Sequence, residues 1–410
     1  MPDKPTVSVC ITSYNHAPYL SATLESVLGQ DYHDFEIIVA DDGSTDESLK
    51  LLTDYQQRYP EKVRCLWHPG HQNKGISATF NLAARHAQGE YIAWLGSDDI
   101  WLPQKLSRQV QFLSSQPATG MVYSPAFILD RAGRQYPQFI IGGEQYEDVW
   151  RRLLISNFIC ASTVLMRRAC LDAVGLLDET LVYSDWELWI RIAAQYRIGV
   201  VTEPLVLYRI HGHNISVSSQ PATRFARRVE VIEAVFSKLP TAEQALKPVA
   251  LADAHLEAAL DFFAFGEAEH GRQHLAQVLQ VRGTPWDNYL HGQLPERVVA
   301  YAMYTLRTHE WDVPRCRRFI QQVFSGFNPR LGRKALARLY ALEVLLSHSR
   351  GLFSEVRRYF LPAIVLDPAW LHNGGILSAG AEAFLGSKVA GSLRRLVRRG
   401  SPIAEASSSR

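Results

Sequence analysis

The segment Glu90–Asp99, with the sequence EYIAWLGSDD, is an apolar run that ends in two adjacent carboxylates. An apolar run of this length, bounded by polar residues, is typical of a buried strand in an α/β protein. Ligands of such proteins bind beyond the carboxyl ends of the strands, and paired acids at that edge suit a metal ion and a phosphate group. The segment therefore predicts a ligand site at Asp98 and Asp99.

Earlier parts of the chain alternate between the patterns of strands and helices. Strands are predicted at residues 7–12, 35–40 and 63–67, and helices at residues 19–28, 45–59 and 76–88. This alternation predicts an α/β domain with a mostly parallel, right-handed, doubly wound sheet. Residues 12–14, Asp41-Asp42 and residues 97–99 follow predicted strands. We expect these strand ends to converge on one crevice.

The predicted crevice differs from the common nucleotide-binding motifs. The sequence contains neither GxGxxG nor GxxxxGK[ST], so neither a dinucleotide fingerprint nor a P-loop is present. Carboxylates would repel a diphosphate unless a cation lay between them. The acids therefore imply a divalent metal, Mn²⁺ or Mg²⁺, as the group that carries the diphosphate charge.

Several motifs, taken in order and with their spacing, resemble a known family. They are VCITSYN at residues 9–15, DDGSTD at 41–46, NKG at 73–75, GEYI at 89–92 and SDD at 97–99. Over roughly the first half of the chain, this series resembles an inverting family 2 glycosyltransferase with the GT-A fold, the Rossmann-like fold of nucleotide-diphospho-sugar transferases. The resemblance implies a nucleotide-diphosphate sugar as donor.

The resemblance also implies roles for residues on the nucleotide side of the site. Thr12 and Tyr14 line the base and ribose pocket, Asp42 accepts a hydrogen bond from the base, and Asn73 contributes to nucleotide-sugar binding. A carboxylate that pairs with an imino proton suits UDP, and it also suits dTDP. UDP is the expected carrier.

The acid pair has two implied roles. Asp98 approaches the ribose side of the donor, and Asp99 ligates the metal that bridges the diphosphate. One departure from the family occurs at Gly96, where many members carry an aspartate. This glycine removes one acid from the surroundings of the metal.

A second informative segment is SDWELW at residues 184–189. It is similar to the place where family members have an acid followed by the catalytic aspartate, so Asp185 is the implied general base, while Ser184 replaces the first acid. Inverting transfer is a direct displacement, and a carboxylate must take the proton of the acceptor hydroxyl on the face opposite the leaving group. Trp186 and Trp189 are expected to belong to the core rather than to stack on a sugar.

The segment EPLVLYRIH at residues 203–211 also resembles the family, in which tyrosine, arginine and histidine follow the last strand. The resemblance implies that Arg209 neutralises phosphate and that His211 is a further metal ligand or a diphosphate contact. His213 is given no role.

Each motif alone has a structural explanation. Asp41 to Ser44 would form an ordinary turn, the acid pair would cap the segment after it, and Asp185 would interact with a helix dipole. The functional interpretation depends on the motifs occurring together and in order.

Residues beyond 220 have the pattern of helices without strands. The expected organisation is a GT-A domain at residues 1–220 and an all-α helical domain at 221–375, followed by a basic amphipathic helix and tail at 376–410. The helical domain is weakly tetratricopeptide-like, with an irregular bundle as the alternative, and acceptor selection, partner docking or oligomerisation are its candidate roles. The basic helix is a candidate for contact with an anionic membrane, with a solvated terminal helix as the alternative.

Composition narrows the class of protein. Forty-three basic and 41 acidic residues leave a net charge of +2, which gives no broad basic field for nucleic acid. The five cysteines are scattered without a CxxC pair, so neither a disulfide framework nor a zinc site is predicted. The residues after Met1 are polar and lack a secretory apolar region. The expected location is the cytoplasm, with peripheral contact at the inner face of the membrane if the basic helix binds lipid.

The predicted function is the transfer of a single sugar from a nucleotide-diphosphate sugar to a saccharide or lipid-linked acceptor in polysaccharide or glycoconjugate biosynthesis. A QxxRW motif and spanning helices, which are usual in processive synthases of this family, do not occur in the sequence. Two alternatives stay open: a nucleotidyltransferase-like enzyme, and a non-catalytic module on the same fold that binds a sugar or a partner.

Overall fold

The computed structural model describes residues 5–130, 133, 135–141, 148–212, 214, 219–281, 294–305, 312–325 and 328–385. The contacts divide the chain into two compact units, Met1–Ala254 and His255–Arg410. This division lies further along the chain than the boundary predicted at residue 220, because residues 221–254 belong to the first unit. The α/β domain and the helical region after it are otherwise arranged along the chain as predicted.

The strands all lie in the first unit. Their bounds are β1 Val7–Ser13, β2 Phe35–Asp41, β3 Val63–Trp67, β4 Tyr91–Gly96, β5 Ile100–Trp101, β6 Thr119–Tyr123, β7 Ala126–Asp130, β8 Gln135–Ile141, β9 Leu165–Arg167, β10 Arg197–Val200 and β11 Val206–Ile210. The first three agree with the predicted strands to within one residue at each end, and β4 lies within the segment predicted at residues 90–99. The apolar runs of β1, β2 and β4 are nearly all buried, which is the pattern of strands covered on both faces.

Helices connect the strands and follow them. In the first unit they are α1 Ala17–Leu28, α2 Ser48–Arg58, α3 Ile76–His86, α4 Lys105–Ser115, α5 Val149–Ile155, α6 Arg168–Val174, α7 Ser184–Ala193 and α8 Pro221–Phe236. α9 Lys247–Ala264 follows, and then α10 Ala268–Val278, α11 Leu294–Thr305, α12 Val313–Phe324, α13 Pro329–Ser349, α14 Phe353–Leu366 and α15 Gly374–Leu385.

The main sheet has the strand order β10-β6-β9-β4-β1-β2-β3. β1 pairs in parallel with both β2 and β4, and β2 pairs in parallel with β3. β9 is antiparallel to both of its neighbours, β4 and β6. The prediction of a mostly parallel sheet is confirmed, and the ends of β1, β2 and β4 lie side by side at one edge.

A smaller sheet with the order β5-β11-β7-β8 brings a distant part of the chain to this edge. β5 begins directly after the acid pair and runs antiparallel to β11, with Trp101 opposite Val206. This pairing places the turn between β4 and β5 beside the last residues of β11. Segments more than 100 residues apart in the sequence meet there.

Two clusters of buried apolar side chains hold the sheet in place. One contains Val9, Ile11 and Leu24, and the other contains Trp94, Trp186 and Trp189. Trp186 and Trp189 are 4% and 0% exposed, and the indole N–H of Trp186 donates to a main-chain carbonyl 2.7 Å away. They are core residues, as expected, and they fix the helix that carries Asp185.

The described residues beyond 220 are helical, as predicted, but one predicted helix is divided. The pattern of residues 241–270 predicts one long helix, but the structure has a 3₁₀ segment Thr241–Leu246, then α9, and a break before α10. Gly266 lies in this break with φ of +84°, a backbone conformation that glycine adopts without strain. The break therefore follows from a glycine that the apolar pattern did not mark as a helix end.

The predicted basic helix at residues 376–410 is only partly within the described residues. α15 accounts for its apolar start, and the basic positions from Lys388 onward lie outside the described part of the chain. Among the helices that the structure describes, none combines the length and the apolar character needed to cross a membrane.

Arg191 joins α7 to the end of α6. Its Nε donates to Glu187 at 2.8 Å, and its guanidinium also donates to the carbonyls of Val174, Gly175 and Leu176, where α6 ends. The carboxylate of Glu187 is buried, so its charge depends on this guanidinium.

We predict that Arg191→Ala lowers the free energy of unfolding by about 3 kcal/mol, because it leaves a buried carboxylate without its partner. Arg85→Ala is the matched control, since the pair of Arg85 with Glu179 is about half exposed and the change should cost less than about 1 kcal/mol. Chemical denaturation measures both. Equal losses for the two variants would show that Arg191 does not stabilise α7.

Candidate active site

The ends of β1 and β2 are joined by Asn15, which follows β1 with φ of +52°. Its main-chain N–H donates to the hydroxyl of Ser44 at 2.8 Å, and its Oδ1 accepts from the N–H of Thr45 at 2.7 Å. Thr12 is buried in β1, whereas Tyr14 is 45% exposed beside this junction. An aromatic ring exposed at a strand end is accessible for stacking, and the place of Tyr14 in a base and ribose pocket stays a prediction.

Asp42 holds the loop that contains Asn73. Its carboxylate accepts the main-chain N–H of Lys74 at 2.6 Å and that of Gly75 at 3.0 Å. A Cβ at Gly43 would lie 2.5 Å from the carbonyl oxygen of His71, so only glycine permits this approach of the loop. The structure therefore brings Asp42 and Asn73 together at the end of β2.

Asp41, next to it, has a structural role. Its carboxylate is fully buried and accepts the N–H groups of Gly43 and Ser44 and the hydroxyl of Ser44. These are the bonds of a turn stabilised by its own aspartate. The turn predicted for residues 41–44 is present, and it leaves Asp42 as the acid that faces the loop.

Asp99 is enclosed by protein on all sides. Its Oδ1 accepts the main-chain N–H of Arg209 at 2.8 Å, and its Oδ2 accepts the hydroxyl of Ser162 at 2.5 Å. The side chain is 2% exposed. Burial raises the pKa of Asp99 well above its usual value, and the charge of Asp98 raises it further. Both carboxylate oxygens of Asp99 thus serve the protein itself.

Asp98 has different partners. Its Oδ2 lies 2.9 Å from Nε2 of His211 and 3.3 Å from Nδ2 of Asn214. Asn214 also fixes the backbone around His211, since its Oδ1 accepts the His211 N–H at 2.6 Å and its Nδ2 donates to the carbonyl of Arg209. The Asp98 carboxylate and the His211 imidazole are therefore held against each other.

These two side chains belong to a group that suits a cation. Ligand atoms of His16, Asp98 and His211 all lie within 4.8 Å of one another. The His16 and His211 rings meet edge to face at a centroid distance of 5.4 Å. Carboxylate and imidazole ligands together are typical of divalent first-row metals. The group is the candidate metal centre of the site.

Arg209 is more constrained than the predicted role suggests. Its Nε donates to the main-chain carbonyl of Asp98 at 2.8 Å, and its guanidinium lies 4.8 Å from the ring centre of Tyr19. The residue is 6% exposed. Arg209 therefore fixes the acid turn from behind and places a positive charge next to the candidate metal centre.

Asp185 lies in the first turn of α7, where its carboxylate accepts the N–H of Trp186 at 2.8 Å. The start of this helix is held by Ser184, whose hydroxyl is 2.6 Å from that of Ser77 on α3. Desolvation raises the pKa of Asp185 from 3.8 to about 6. A carboxyl with a pKa in this range is suited to accept a proton near neutral pH.

The Cys160 thiol is affected by acids from two parts of the site. The charges of Asp99 and Asp185 both add to the burial that raises the pKa of its thiol well above the usual value. Asp185 on α7 and the acid pair after β4 therefore act on the same buried thiol.

The turn that follows Cys160 is fixed by three side chains. The indole N–H of Trp101 donates to the main-chain carbonyl of residue 162 at 2.9 Å, and the side-chain amide of Gln109 donates to that of residue 163 at 2.7 Å. Lys105 is fully buried and contacts the main-chain carbonyl of residue 164. Burial lowers the pKa of its amine well below the usual value. These contacts position Ser162, whose hydroxyl accepts the Gly96 N–H at 3.0 Å and donates to the carboxylate of Asp99.

Three residues of this site have no role in the sequence-based prediction. Ser162 and Asn214 occur in segments without a recognisable pattern, so only the fold reveals them. His16 differs, because it lies two residues after Tyr14 at a strand end. Its position offered a signal, although a single histidine there is not specific.

The fold and this acid-bearing edge together define a GT-A glycosyltransferase. Residues 8–174 match the family model described as Glycosyl transferase family 2. The chain is also 33% identical over 233 residues to an uncharacterized glycosyltransferase of Nostoc sp., a match that covers 53% of this chain and 68% of that protein. The chain belongs to glycosyltransferase family 2.

Other relatives share a similar part of the chain. An uncharacterized protein of Mycobacterium tuberculosis is 31% identical over 217 residues, which covers 51% of this chain and 60% of that protein. An uncharacterized glycosyltransferase of Methanocaldococcus jannaschii is 29% identical over 212 residues, which covers 51% of this chain and 72% of that protein. These matches reach about half of the chain.

Solved structures are similar at lower identity. Residues 1–349 of S. aureus TarS in complex with UDP-GlcNAc are 20% identical, with a TM-score of 0.49, and cover 84% of this chain and 92% of that one. The mannosyltransferase PcManGT of Pyrobaculum calidifontis, in complex with GDP-Man and Mn²⁺, is 20% identical, with a TM-score of 0.48, and covers 75% of this chain and 89% of that one.

We predict that Ser162→Ala lowers the free energy of unfolding by about 1–3 kcal/mol, because the Gly96 N–H and the Asp99 carboxylate each lose a buried partner. Ser115→Ala is the control, since that exposed hydroxyl bonds only to its own helix and its loss should cost less than about 0.5 kcal/mol. Denaturation curves compare the two. A Ser162 variant as stable as the control would mean that the bridge contributes nothing.

Proposed function

We propose that this chain is an inverting, metal-dependent glycosyltransferase that transfers a single sugar from a nucleotide-diphosphate sugar to the hydroxyl of an acceptor. The observation that carries the proposal is the difference between the surroundings of two acids of the first unit. Asp98 meets His211 at the end of β4, where a donor diphosphate would bind, and Asp185 lies on α7 with its pKa raised to about 6.

The residues present fit a divalent metal at the donor side. Asp98 supplies a carboxylate and His211 an imidazole, held 2.9 Å apart at the edge of the sheet. A bound Mn²⁺ or Mg²⁺ would neutralise the charge that develops on the leaving diphosphate. Asp98 and His211 would hold it, while Arg209 orients the acid turn through the carbonyl of Asp98.

This assignment differs from the one that the resemblance implied. Asp99 was expected to ligate the metal and Asp98 to approach the ribose. The buried contacts of Asp99 with Ser162 and Arg209 favour a structural role for it, and Asp98 is the acid that faces a histidine. We therefore propose Asp98 as the ligand and Asp99 as the acid that holds the turn in place.

The donor base is proposed to bind between the ends of β1 and β2. Tyr14 offers an exposed ring there, and Asp42 is already fixed in orientation by the N–H groups of residues 74–75. A carboxylate oxygen has more than one acceptor site, so Asp42 can still accept the imino N–H of a pyrimidine base. This chemistry favours a UDP-sugar, and a dTDP-sugar satisfies the same contact.

Asp185 is the proposed general base. Its carboxylate would take the proton of the acceptor hydroxyl as the oxygen attacks the anomeric carbon and the bond to the diphosphate breaks. Desolvation of Asp185 makes it a stronger base than an exposed aspartate. By analogy with the family, we propose a saccharide or lipid-linked acceptor in polysaccharide or glycoconjugate assembly.

The metal assignment can be tested with Asp98→Asn and Asp99→Asn. We expect Asp98→Asn to weaken the activation of nucleotide-sugar hydrolysis by Mn²⁺ at least tenfold, because a ligand is lost. Asp99→Asn should keep the activation within a few-fold, since the amide oxygen can still accept the Arg209 N–H and the amide N–H can donate to the Ser162 oxygen. Hydrolysis of a panel of nucleotide sugars over a range of Mn²⁺ and Mg²⁺ concentrations measures both.

The reverse order, with Asp99→Asn the more damaging change, would restore the role implied by the resemblance. If no nucleotide sugar binds or is hydrolysed with either metal, the proposed activity is wrong. The melting temperature of each variant shows whether a loss comes from unfolding.

We predict that Asp185→Asn lowers the rate of transfer to an acceptor by about 10²–10⁴, because a base of this kind contributes about that factor. Affinity for the donor should stay within a few-fold. In the unsubstituted chain the transfer rate should rise with pH through about 6, as the carboxyl ionises, and the variant should lose this dependence. Full transfer activity in Asp185→Asn would exclude it as the base. Absence of transfer by the unsubstituted chain with every donor and acceptor tested would instead favour a non-catalytic binding module.

Stability provides an independent check on the same residue. A carboxyl whose pKa is about 6 in the folded chain and near 3.8 in the unfolded chain binds its proton more tightly when folded. Its contribution to stability is therefore present below about pH 4 and is lost as the pH rises through about 6. We expect Asp185→Asn to be at least as stable as the unsubstituted chain at pH 8, and thermal unfolding would show a lower stability if the carboxylate had a structural role.

A further inference from the structure

We infer that His16 is a third protein ligand of the metal, and that Asp98, His16 and His211 together bind a divalent cation before the nucleotide arrives. The inference rests on the proposed function, because it concerns the metal of the same site. His16 lies between β1 and α1, whereas Asp98 follows β4 and His211 follows β11.

The spacing of the three residues supports a shared ion. Ligand atoms around a six-coordinate metal with bonds of about 2.1 Å lie about 3.0 Å apart when adjacent and about 4.2 Å apart when opposite. Asp98 and His211 are already 2.9 Å apart, and the group as a whole falls within 4.8 Å. Displacements of the ligand atoms by less than about 1 Å would bring all three into contact with one ion.

The surroundings of His16 are those of a metal-binding histidine. Its Nδ1 lies 2.8 Å from the hydroxyl of Ser97, which is itself fully buried. This contact fixes the ring, and in the tautomer in which Nδ1–H donates to the hydroxyl the ring carries its lone pair on Nε2. Ser97 adjoins Asp98 in the chain, so one turn supplies both a ligand and the group that orients a second ligand.

Local packing fixes the position of each imidazole. The ring of Tyr19 stacks on His211 at a centroid distance of 4.9 Å and meets His16 edge to face at 6.0 Å. Tyr19 lies on α1, which begins directly after His16, and Arg209 covers its ring at 4.8 Å. The two histidines are thus held around one aromatic ring before any ligand binds, which lowers the cost of ordering them.

The ligand set also predicts which metal is preferred. Two imidazoles and one carboxylate suit Mn²⁺, Co²⁺ and Zn²⁺ better than Mg²⁺, which prefers oxygen ligands and retains its waters. A site with three protein ligands should hold Mn²⁺ without help from a diphosphate. With Asp98 and His211 alone, binding would depend much more strongly on the nucleotide.

The test is to titrate the full chain with Mn²⁺ in the absence of nucleotide and to follow the free ion by electron paramagnetic resonance. We expect one Mn²⁺ per chain, bound at least tenfold more tightly than Mg²⁺ in competition. His16→Asn should weaken this binding about tenfold or more. The control is His86→Asn, since His86 is an exposed histidine at the end of α3, and it should bind Mn²⁺ like the unsubstituted chain.

Co²⁺ gives a readout that a structural role of His16 would not change. Loss of an imidazole ligand should shift the visible absorption of the bound Co²⁺, whereas a variant that only loosens the site should lower the affinity without a new spectrum. If His16→Asn fails to fold, His16→Gln and Ser97→Ala provide further variants. Ser97→Ala should weaken binding less than the loss of the imidazole itself, because it removes only the group that orients the ring.

Three results would overturn the inference. The first is Mn²⁺ binding in His16→Asn equal to that of the control, and the second is an unchanged Co²⁺ spectrum in that variant. The third is a lack of Mn²⁺ binding by the unsubstituted chain without nucleotide. In each case, metal-activated hydrolysis of a nucleotide sugar would leave the proposed function intact, with Asp98 and His211 as the ligands. The absence of that hydrolysis as well would remove the proposed function too.

Discussion

The buried carboxylate of Asp99 is the interaction on which the edge of the sheet depends. One of its oxygens binds the backbone of β11 and the other binds Ser162, so three segments that are distant in the sequence meet at one side chain. A buried acid is costly unless every oxygen has a partner, and here each has one. The enclosed Asp99 allows its neighbour Asp98 to face outward with a defined orientation.

Much of the fold could be predicted from the sequence because the signals were local. The apolar runs at β1, β2 and β4 have the pattern of buried strands, and short motifs mark their ends. The turn at Asp41 and the loop at Asn73 could also be predicted. An aspartate side chain bonds to nearby backbone N–H groups in a turn, and glycine adopts a positive φ without steric cost. Helix boundaries were less certain where a single glycine such as Gly266 ends a long apolar pattern.

The different surroundings of Asp98 and Asp99 could not be predicted in the same way. Two adjacent acids at a strand end look alike in a sequence, and which one is buried depends on a hydroxyl 63 residues further on and a backbone N–H 110 residues further on. Asn214 and His16 acquire their roles through contacts of the same long-range kind. Resemblance pointed to this edge of the sheet, but only packing distinguishes the enclosed Asp99 from Asp98, which contacts His211.

Gly96 has a consequence for how this site can change during evolution. A Cβ at this position would lie 2.7 Å from Oδ1 of Asp98, whose other oxygen is held by His211 and Asn214. Restoring the aspartate that many family members carry would therefore displace the carboxylate that now faces the histidine. We therefore expect that an acid at residue 96 and the present orientation of Asp98 exclude each other unless the contacts with His211 and Asn214 also change.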